Sequence, residues 1–482
     1  MWIAEGFIVQ EANKRRIEDI GSKYFDDLLN MSIFIFEGGK YKMHTLIHEL
    51  AQSVSGNKCF RMENKDGNLA TGVRHLSIFC RNIQIRTFES FYECKGLRTL
   101  ILLQDYGASI TAVPHHLFTK LNRLRVLDLS GSHVTVLTDA LGNLMHLRYF
   151  DLSKTHIEWL PETISKLYKL QSLNLKDCRC LPQLPKSTSK LISLRHIELE
   201  GSRLTSMPIG FGKLTNLQTL REFIVGSGVG DARISELREI QNLRGVLRIK
   251  KLENIRKEDI SETMLDNKAF LHKLELQWSE MQDEGIHTKV LESLQPNENL
   301  QELTIRKYSG REFPNWAGNT FLPCLVSLRL LECRNCNVLP SFGHLPKLKS
   351  LELAEILMVT SIDSMFCADD QPSFPSLETL VLLDMPKLST WRRLSNNDLP
   401  SLTKLLIDTC PQLTDLPTLH HLKSLHELEF RYCYGLSKLP EEGLSKDLHS
   451  LIIMDCPLLL EQCREGGKFW KMIENISYKE IN

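Results

Sequence analysis

One phrase of apolar and polar positions recurs along most of this chain: Leu-x-x-Leu-x-Leu. It reads Leu97-Arg-Thr-Leu100-Ile-Leu102 and Leu124-Arg-Val-Leu127-Asp-Leu129, and returns from Leu147, Leu170, Leu194 and Leu217. These starts lie 27, 23, 23, 24 and 23 residues apart. A weaker copy, Leu247-Arg-Ile249, follows, and the phrase resumes at Leu271, Leu300, Leu325, Leu348, Leu377, Leu402, Leu425 and Leu448. An earlier fragment, Val73-Arg-His-Leu76-Ser-Ile78, predicts a capping strand. Alternation turns two leucines of each phrase inward and three side chains outward on one short strand. A single such strand cannot bury its apolar side, so the copies stack into a parallel sheet over a continuous leucine core.

A period of about 20–29 residues with this phrase marks the leucine-rich repeat. The predicted fold is therefore α/β: a leucine-rich-repeat solenoid with a parallel concave sheet running from about residue 97 to 455. Early repeats support it, because Ile157-Glu-Trp-Leu160-Pro161 is followed by Ile164, Leu167 and Leu170. Proline ends the strand side, and apolar residues at steps of three fill the opposite side. Position nine of the repeat holds Cys178, Cys333, Cys410, Cys433 and Cys456, or Ser132, Thr155, Ser202 and Ser279. There a small polar group bonds turn backbone between coils. Cys333-x-x-Cys336 is half of a zinc pattern without a second pair nearby, which leaves the structural role in place. Gly226-Ser-Gly228-Val-Gly230 superficially resembles a dinucleotide loop, but no βαβ unit surrounds it. It reads as an interrupting loop, followed by the helical spacing Ile234, Leu237, Ile240.

Before the repeats the period changes. Ile17, Ile20, Tyr24 and Leu28 fall at helical spacing, and Ile33-Phe-Ile-Phe36, Glu37-Gly-Gly-Lys40 and Tyr41-Lys-Met43 predict a hairpin. Leu46, Ile47, Leu50, Ala51 and Val54 predict a second helix closed by Gly56. Helix, hairpin and helix make part of a winged-helix module. His44 and His48 stand four apart, but Thr45 follows the first where a zinc-protease motif requires glutamate. The helix lacks Lys and Arg, which argues against reading DNA. The predicted organisation is a partial winged-helix module at 1–60, a connector and capping strand at 61–96, the solenoid at 97–460 interrupted at 226–242, and a C-terminal tail at 461–482.

Charge changes the picture little. Lys plus Arg is 59 and Asp plus Glu is 59, so the chain as a whole is no general nucleic-acid or anionic-membrane binder. No apolar run is long enough to span a membrane, and the first residues, with Glu5, do not form a secretory signal. The expected compartment is the reducing cytoplasm, and the 13 cysteines are expected as thiols. No Gly-x-Ser-x-Gly, zinc-protease or kinase set occurs, so neither catalysis, a metal nor a cofactor is expected.

Several runs resemble a known family. Trp2-Ile-Ala-Glu-Gly-Phe7, Glu18-Asp-Ile-Gly21, Tyr24-Phe25 and Leu28-Leu29 resemble the winged-helix end of plant nucleotide-binding leucine-rich-repeat disease resistance proteins. Tyr41-Lys-Met-His44-Thr45-Leu-Ile-His48-Glu-Leu-Ala51 resembles that family's Met-His-Asp signature, with Thr45 in the place of Asp. Arg74-His-Leu-Ser77 resembles the entry to its repeats. Leu220-Arg-Glu-Phe-Ile-Val-Gly226, Leu252-Glu-Asn-Ile255, and Cys463-Arg-Glu-Gly-Gly467 with Trp470, resemble its coiled-coil-type subgroup. The resemblance implies a chain without the coiled-coil and nucleotide-switch regions. It also implies that His44 and Thr45 are a degenerate nucleotide signature, because no phosphate loop occurs in the sequence. The implied partners are a pathogen effector, a guarded host protein, or a nucleotide-switch domain in cis or trans. The competing reading is a leucine-rich-repeat substrate adaptor or scaffold unrelated to immunity.

Outward strand positions are the candidate protein-binding residues. Asp128, Asp151 and Glu198, with Glu200, predict an acidic zone. Arg221, Arg248 and Lys250, then Arg306 and Arg329, predict a basic one, and Val381, Leu406 and Ile452 a partly apolar end.

Overall fold

The computed structural model describes residues 1–9, 15–63, 69, 71–79, 88–102, 110–262, 265–279, 284–318, 321–366, 372–391 and 394–482. The chain divides into two compact units, residues 1–221 with 228–232, and residues 222–227 with 233–482.

The first unit opens with helices α1 (Trp2–Glu5) and α2 (Ile17–Asn30), the hairpin β1 (Phe34–Glu37) and β2 (Lys40–Met43), and helix α3 (Thr45–Ser55). The hairpin is antiparallel, with Phe34 opposite Met43 and Glu37 opposite Lys40. Gly38 and Gly39 both take positive φ, as a two-residue turn matched to strand twist requires. Phe25 of α2 stacks on Phe34 at 5.8 Å and meets Tyr41 edge-on at 4.9 Å, tying helix to hairpin.

An eight-stranded parallel sheet follows, in chain order from Cys59–Met62 to Thr219–Leu220. Its pairing already includes His75–Ile78, where the fragment Val73–Ile78 predicts a capping strand, and Cys59–Met62, which no phrase marks. Leu124, Leu127 and Leu129 are fully buried, as are their counterparts in the next repeats. Burial of each such side chain favours folding by about 1.5–3 kcal/mol. Behind the strands run short helices: His115–Lys120, Asp139–Asn143, Glu162–Lys166, Lys186–Lys190 and Phe211–Lys213.

The second unit holds an eleven-stranded parallel sheet, again in chain order, from Glu222–Ile224 to Tyr478–Ile481. The last strand pairs with Ser450–Met454, so part of the predicted tail is a sheet strand. The expected single sheet is thus two. The first ends with Leu220 beside Ile197, and the second begins with Glu222 beside Arg248. Glu222 occupies the third leucine position of its phrase, yet the register sets it beside the outward Arg248 and puts the fully buried Phe223 beside Ile249 in the core. Glu222 is buried and ion-paired with Arg248 at 2.9 Å and Lys250 at 2.8 Å. The interrupting glycines are partly ordered by Asp231, which accepts hydrogen bonds from Gly228 N–H and the Ser206 hydroxyl.

One turn recurs after the strands. Gly131, Lys154, Asp177, Gly201, Glu332, Thr409, Tyr432 and Asp455 all have positive φ. Each directly precedes a position-nine residue, whose side chain points inward. Ser132 and Thr155 donate to Leu129 O and Leu152 O at 2.6 Å, and the Cys178 thiol donates to Leu152 O at 3.0 Å. Ser279 departs from the expected ladder: it is exposed, and Trp278 is buried in its place against Tyr308.

Candidate functional site

The parallel register lines the outward residues into rows. In the first sheet Asp128 stands beside Asp151, then Asn174 and Glu198. In the second, Arg248 is followed by Glu275, Thr304, Arg329, Glu352, Val381, Leu406, Glu429 and Ile452.

Asp128 and Asp151 share a row but are buried. Asp128 Oδ1 accepts from the Ser130 N–H at 3.0 Å and the Ser130 hydroxyl at 2.6 Å. Asp151 repeats this with Ser153, and its other oxygen accepts from the Tyr149 hydroxyl and Asn174 Nδ2, both at 2.8 Å. The recurring Asp-Leu-Ser is thus a turn device, in which an aspartate caps the backbone two residues on. Burial pushes the Asp128 carboxyl up to about 6, and the neighbouring Asp151 charge adds to it, against the Ser130 hydrogen bonds. Glu198 is half-buried and pairs with Arg221 at 3.0 Å, while Glu200 pairs with Lys176 at 3.3 Å. Burial raises the Glu198 carboxyl from its ordinary value and Arg221 opposes it.

The arginines of the expected basic zone each face a carboxylate. Arg248 lies between Glu222 and Glu275, at 2.9 and 2.7 Å. Lys250 shares Glu222, Arg306 meets Glu332 at 2.8 Å, and Arg329 meets Glu352 at 2.6 Å. The zone is therefore a ladder of alternating charge. Glu275 and Glu352 were legible at the same phrase position, in Leu274-Glu-Leu276 and Leu351-Glu-Leu353. Glu222 and Glu332 lie outside that position, and only folding identifies them as partners. Towards the end of this row the outward side chains are apolar. Val381 and Leu383, then Leu406, and finally Ile452 and Met454 are half-exposed. Between them Glu429 is buried and held by Lys404 and Arg431, both at 2.9 Å.

A second constellation joins the N-terminal module to the starts of the first sheet's strands. Arg125 donates to Glu5 O at 2.6 Å and Arg148 to Ala4 O at 3.4 Å, so both read the C-terminal carbonyls of α1. The Glu5 carboxylate accepts from Thr99. Glu18 of α2 receives Arg195 bidentately, at 2.7 and 2.9 Å, with His196 at 3.3 Å. Burial opposes ionisation of Glu18, but the hydrogen bonds from His196 and Arg195 outweigh it and hold the carboxyl well below the ordinary carboxylate range. The spacing of these arginines was visible in the recurring Leu-Arg of the phrase; their acidic partner was not.

The signature residues lie apart from both. His44 is the N-cap of α3, and its Nδ1 accepts the Leu46 N–H at 3.3 Å; Thr45 is the first helical residue. His48 lines a cleft of about 450 Å³ with Cys59, Arg61 and His75. The thiols of Cys333 and Cys336 donate to backbone carbonyls, to Leu331 O at 3.6 Å and Val338 O at 3.3 Å, and burial pushes Cys336 up to about 12.

Comparison with known proteins agrees for the N-terminal module and for the repeats. The model of the disease resistance protein winged helix domain matches residues 1–51, that of the leucine-rich repeat 95–157, and that of the R13L1/DRL21 repeats 234–356. The chain is 37% identical over 459 residues to a putative disease resistance RPP13-like protein 1 of Arabidopsis thaliana, covering 88% of the chain and 43% of the relative. It is 34% identical to the putative disease resistance protein RGA4 of Solanum bulbocastanum (91% and 43% covered) and 33% identical to RGA2 of the same species (96% and 46%). The chain thus spans less than half the length of these relatives. Among solved structures, a leucine-rich-repeat protein of Leptospira interrogans superposes with a TM-score of 0.54 at 19% identity, over 89% of this chain and 98% of that one, which shows the repeat fold. No helix among the described residues is long and apolar enough to cross a membrane. With winged-helix residues at the N-terminus and leucine-rich repeats behind them, this chain is similar over most of its length to plant disease resistance proteins.

Proposed function

We propose that the chain is the protein-recognition part of a plant intracellular immune receptor, acting in the cytoplasm. Its sheet face receives a pathogen effector or a guarded host protein. The observation that carries this reading is the row in the second sheet where Val381, Leu383 and Leu406, then Ile452 and Met454, stand half-exposed around the ion-paired Glu429. Apolar anchors ringed by satisfied charge are what a specific protein interface needs. The paired charges upstream set partner choice and association rate more than affinity. The docking of α1 and α2 on Arg125, Arg148 and Arg195 supports the second part of the proposal. Through this joint, occupancy of the repeats is transmitted to a nucleotide-switch domain that they hold in check.

The test is Val381→Lys with Leu406→Lys, compared with Arg61→Glu away from this row. Wild type and variants are co-expressed in leaf tissue with a panel of pathogen effectors, with a full-length relative as the signalling background. Loss of effector-dependent response in the double variant alone, with an unchanged circular dichroism spectrum, supports the assignment. Equal responses from all three chains refute it.

A further inference from the structure

The turns that lead into the strands of the first sheet carry a second surface, of a different character from the sheet face. The short helices His115–Lys120, Glu162–Lys166, Lys186–Lys190 and Phe211–Lys213 each end in lysine: Lys120, Lys166, Lys190 and Lys213. Arg123 and Lys169 follow three residues after the first two. Lys120, Arg123, Lys166, Lys190 and Lys213 are exposed, and their side chains have neither an ion pair nor a hydrogen bond among the described residues. The acidic side chains of the same turns, Asp139 and Glu162, are exposed and are each engaged by the next turn of the row. Glu162 accepts the Lys186 and Ser187 N–H groups, at 3.0 and 2.9 Å, and Asp139 accepts from Thr163.

Helix-terminal lysines answer a helix dipole, which accounts for part of this row. It does not account for Arg123 and Lys169, nor for the apolar residues between the cations. Met145, Tyr168 and Ile192 occupy the same place in consecutive repeats and are 49%, 48% and 58% exposed. Lys169 meets His146 Nδ1 at 3.5 Å and lies over the Tyr168 ring, and an apolar row among cations that face no carboxylate marks a docking surface rather than a solvated one.

We propose that this surface binds an acidic amphipathic helix of a protein partner, lying along the stack of repeats. Three observations select that occupant. The cations call for carboxylates, and Met145, Tyr168 and Ile192 call for apolar side chains on the same ligand. Repeats advance by about 4.8 Å per strand, close to the about 5–6 Å between side chains one turn apart on a helix, so one helical turn meets one repeat. The adjoining rim already holds acidic helical elements, because the carbonyl end of α1 lies on Arg125 and Arg148, and Glu18 of α2 on Arg195. The proposed helix continues that interface outward by one row.

The probe is a synthetic amphipathic peptide with leucines on one face and glutamates on the other, titrated onto the full chain by fluorescence anisotropy at two salt concentrations. A lysine-for-glutamate peptide, phosphatidylserine vesicles and duplex DNA are run beside it. The expected result is binding of the acidic peptide that weakens with salt. It weakens by about tenfold or more in the Lys166→Glu, Lys190→Glu, Lys213→Glu triple variant. Tyr168→Ser weakens it with the salt dependence kept, and Leu406→Lys on the sheet face leaves it unchanged. A triple variant to Gln guards against misfolding of the charge reversal. The proposal is overturned if wild type fails to bind the acidic peptide. Equal binding by the lysine variants also overturns it, as does preference for vesicles or DNA over the peptide.

Discussion

Asp128 shows how a single residue can be read correctly in position and wrongly in exposure. Its place opposite Asp151 follows from register, yet both carboxylates turn back on the Ser130 and Ser153 backbones instead of facing solvent. The Asp128 carboxyl titrates near 6 in the fold against 3.8 ordinarily, so the folded chain binds its proton more tightly than the unfolded chain does. Stability from this group is fully present below about pH 4 and is lost as pH rises through about 6. Asp128→Asn keeps the turn, as Asn174 does by accepting the Lys176 N–H, and removes the buried charge. The expected outcome is a higher melting temperature at neutral pH, with on the order of 1–3 kcal/mol gained and a flatter stability curve between pH 4 and 6. Thermal melts across that range check it, and a neutral-pH loss of stability would contradict it. The thiols give a second prediction at this scale. Cys59 and Cys180 are exposed, whereas Cys178, Cys333, Cys410, Cys433 and Cys456 are buried in the turn ladder. Labelling of the native chain should reach the first two quickly and the ladder only after unfolding. Rapid labelling of Cys333 in the native chain would argue against the ladder.

Among the elements, α2 depends on one carboxylate. Its apolar spacing was readable from Ile17, Ile20, Tyr24 and Leu28, but what it docks against was not, because Glu18 and Arg195 lie 177 residues apart. A charge-assisted bidentate bond of this kind contributes about 1.5–3 kcal/mol. Glu18→Gln should therefore speed hydrogen exchange at α2 amides by about tenfold or more, with the repeats unaffected. The folded carboxyl sits below its ordinary 4.5, so its contribution is present above that pH and is lost as pH falls below it. Exchange measured at neutral and acid pH should then converge for wild type and variant at the acid end. A wild-type advantage that persists there would place the docking elsewhere.

For the whole molecule, the His44 and Thr45 geometry and the lack of a phosphate loop in the sequence predict weak nucleotide binding. Calorimetry with ADP or ATP should give no dissociation constant at or below about 1 μM, worth roughly 8 kcal/mol. Tight binding would mean that His44, which caps α3, serves a phosphate as well.

What the sequence determined by itself was the repeat. Leucines at a fixed period permit no other economical burial, so strand order, parallel pairing and the leucine core were legible from Leu97 onward, as were the helix–hairpin–helix spacing and the Cys/Ser/Thr position. What tertiary structure decided was who faces whom across repeats. The one expected sheet is two, and where the second begins Phe223 takes the core place beside Ile249 while Glu222 stands in the outward row beside Arg248. Glu275, Glu332 and Glu352 turn an expected basic zone into paired charge, and Asp128 and Asp151 leave the surface to cap turns. The last strand pairs residues that no leucine phrase marks. The physical reason is common to all of these. Period and alternation depend on local spacing along the chain, whereas charge pairing and sheet termination depend on neighbours that only the fold brings within a few ångströms.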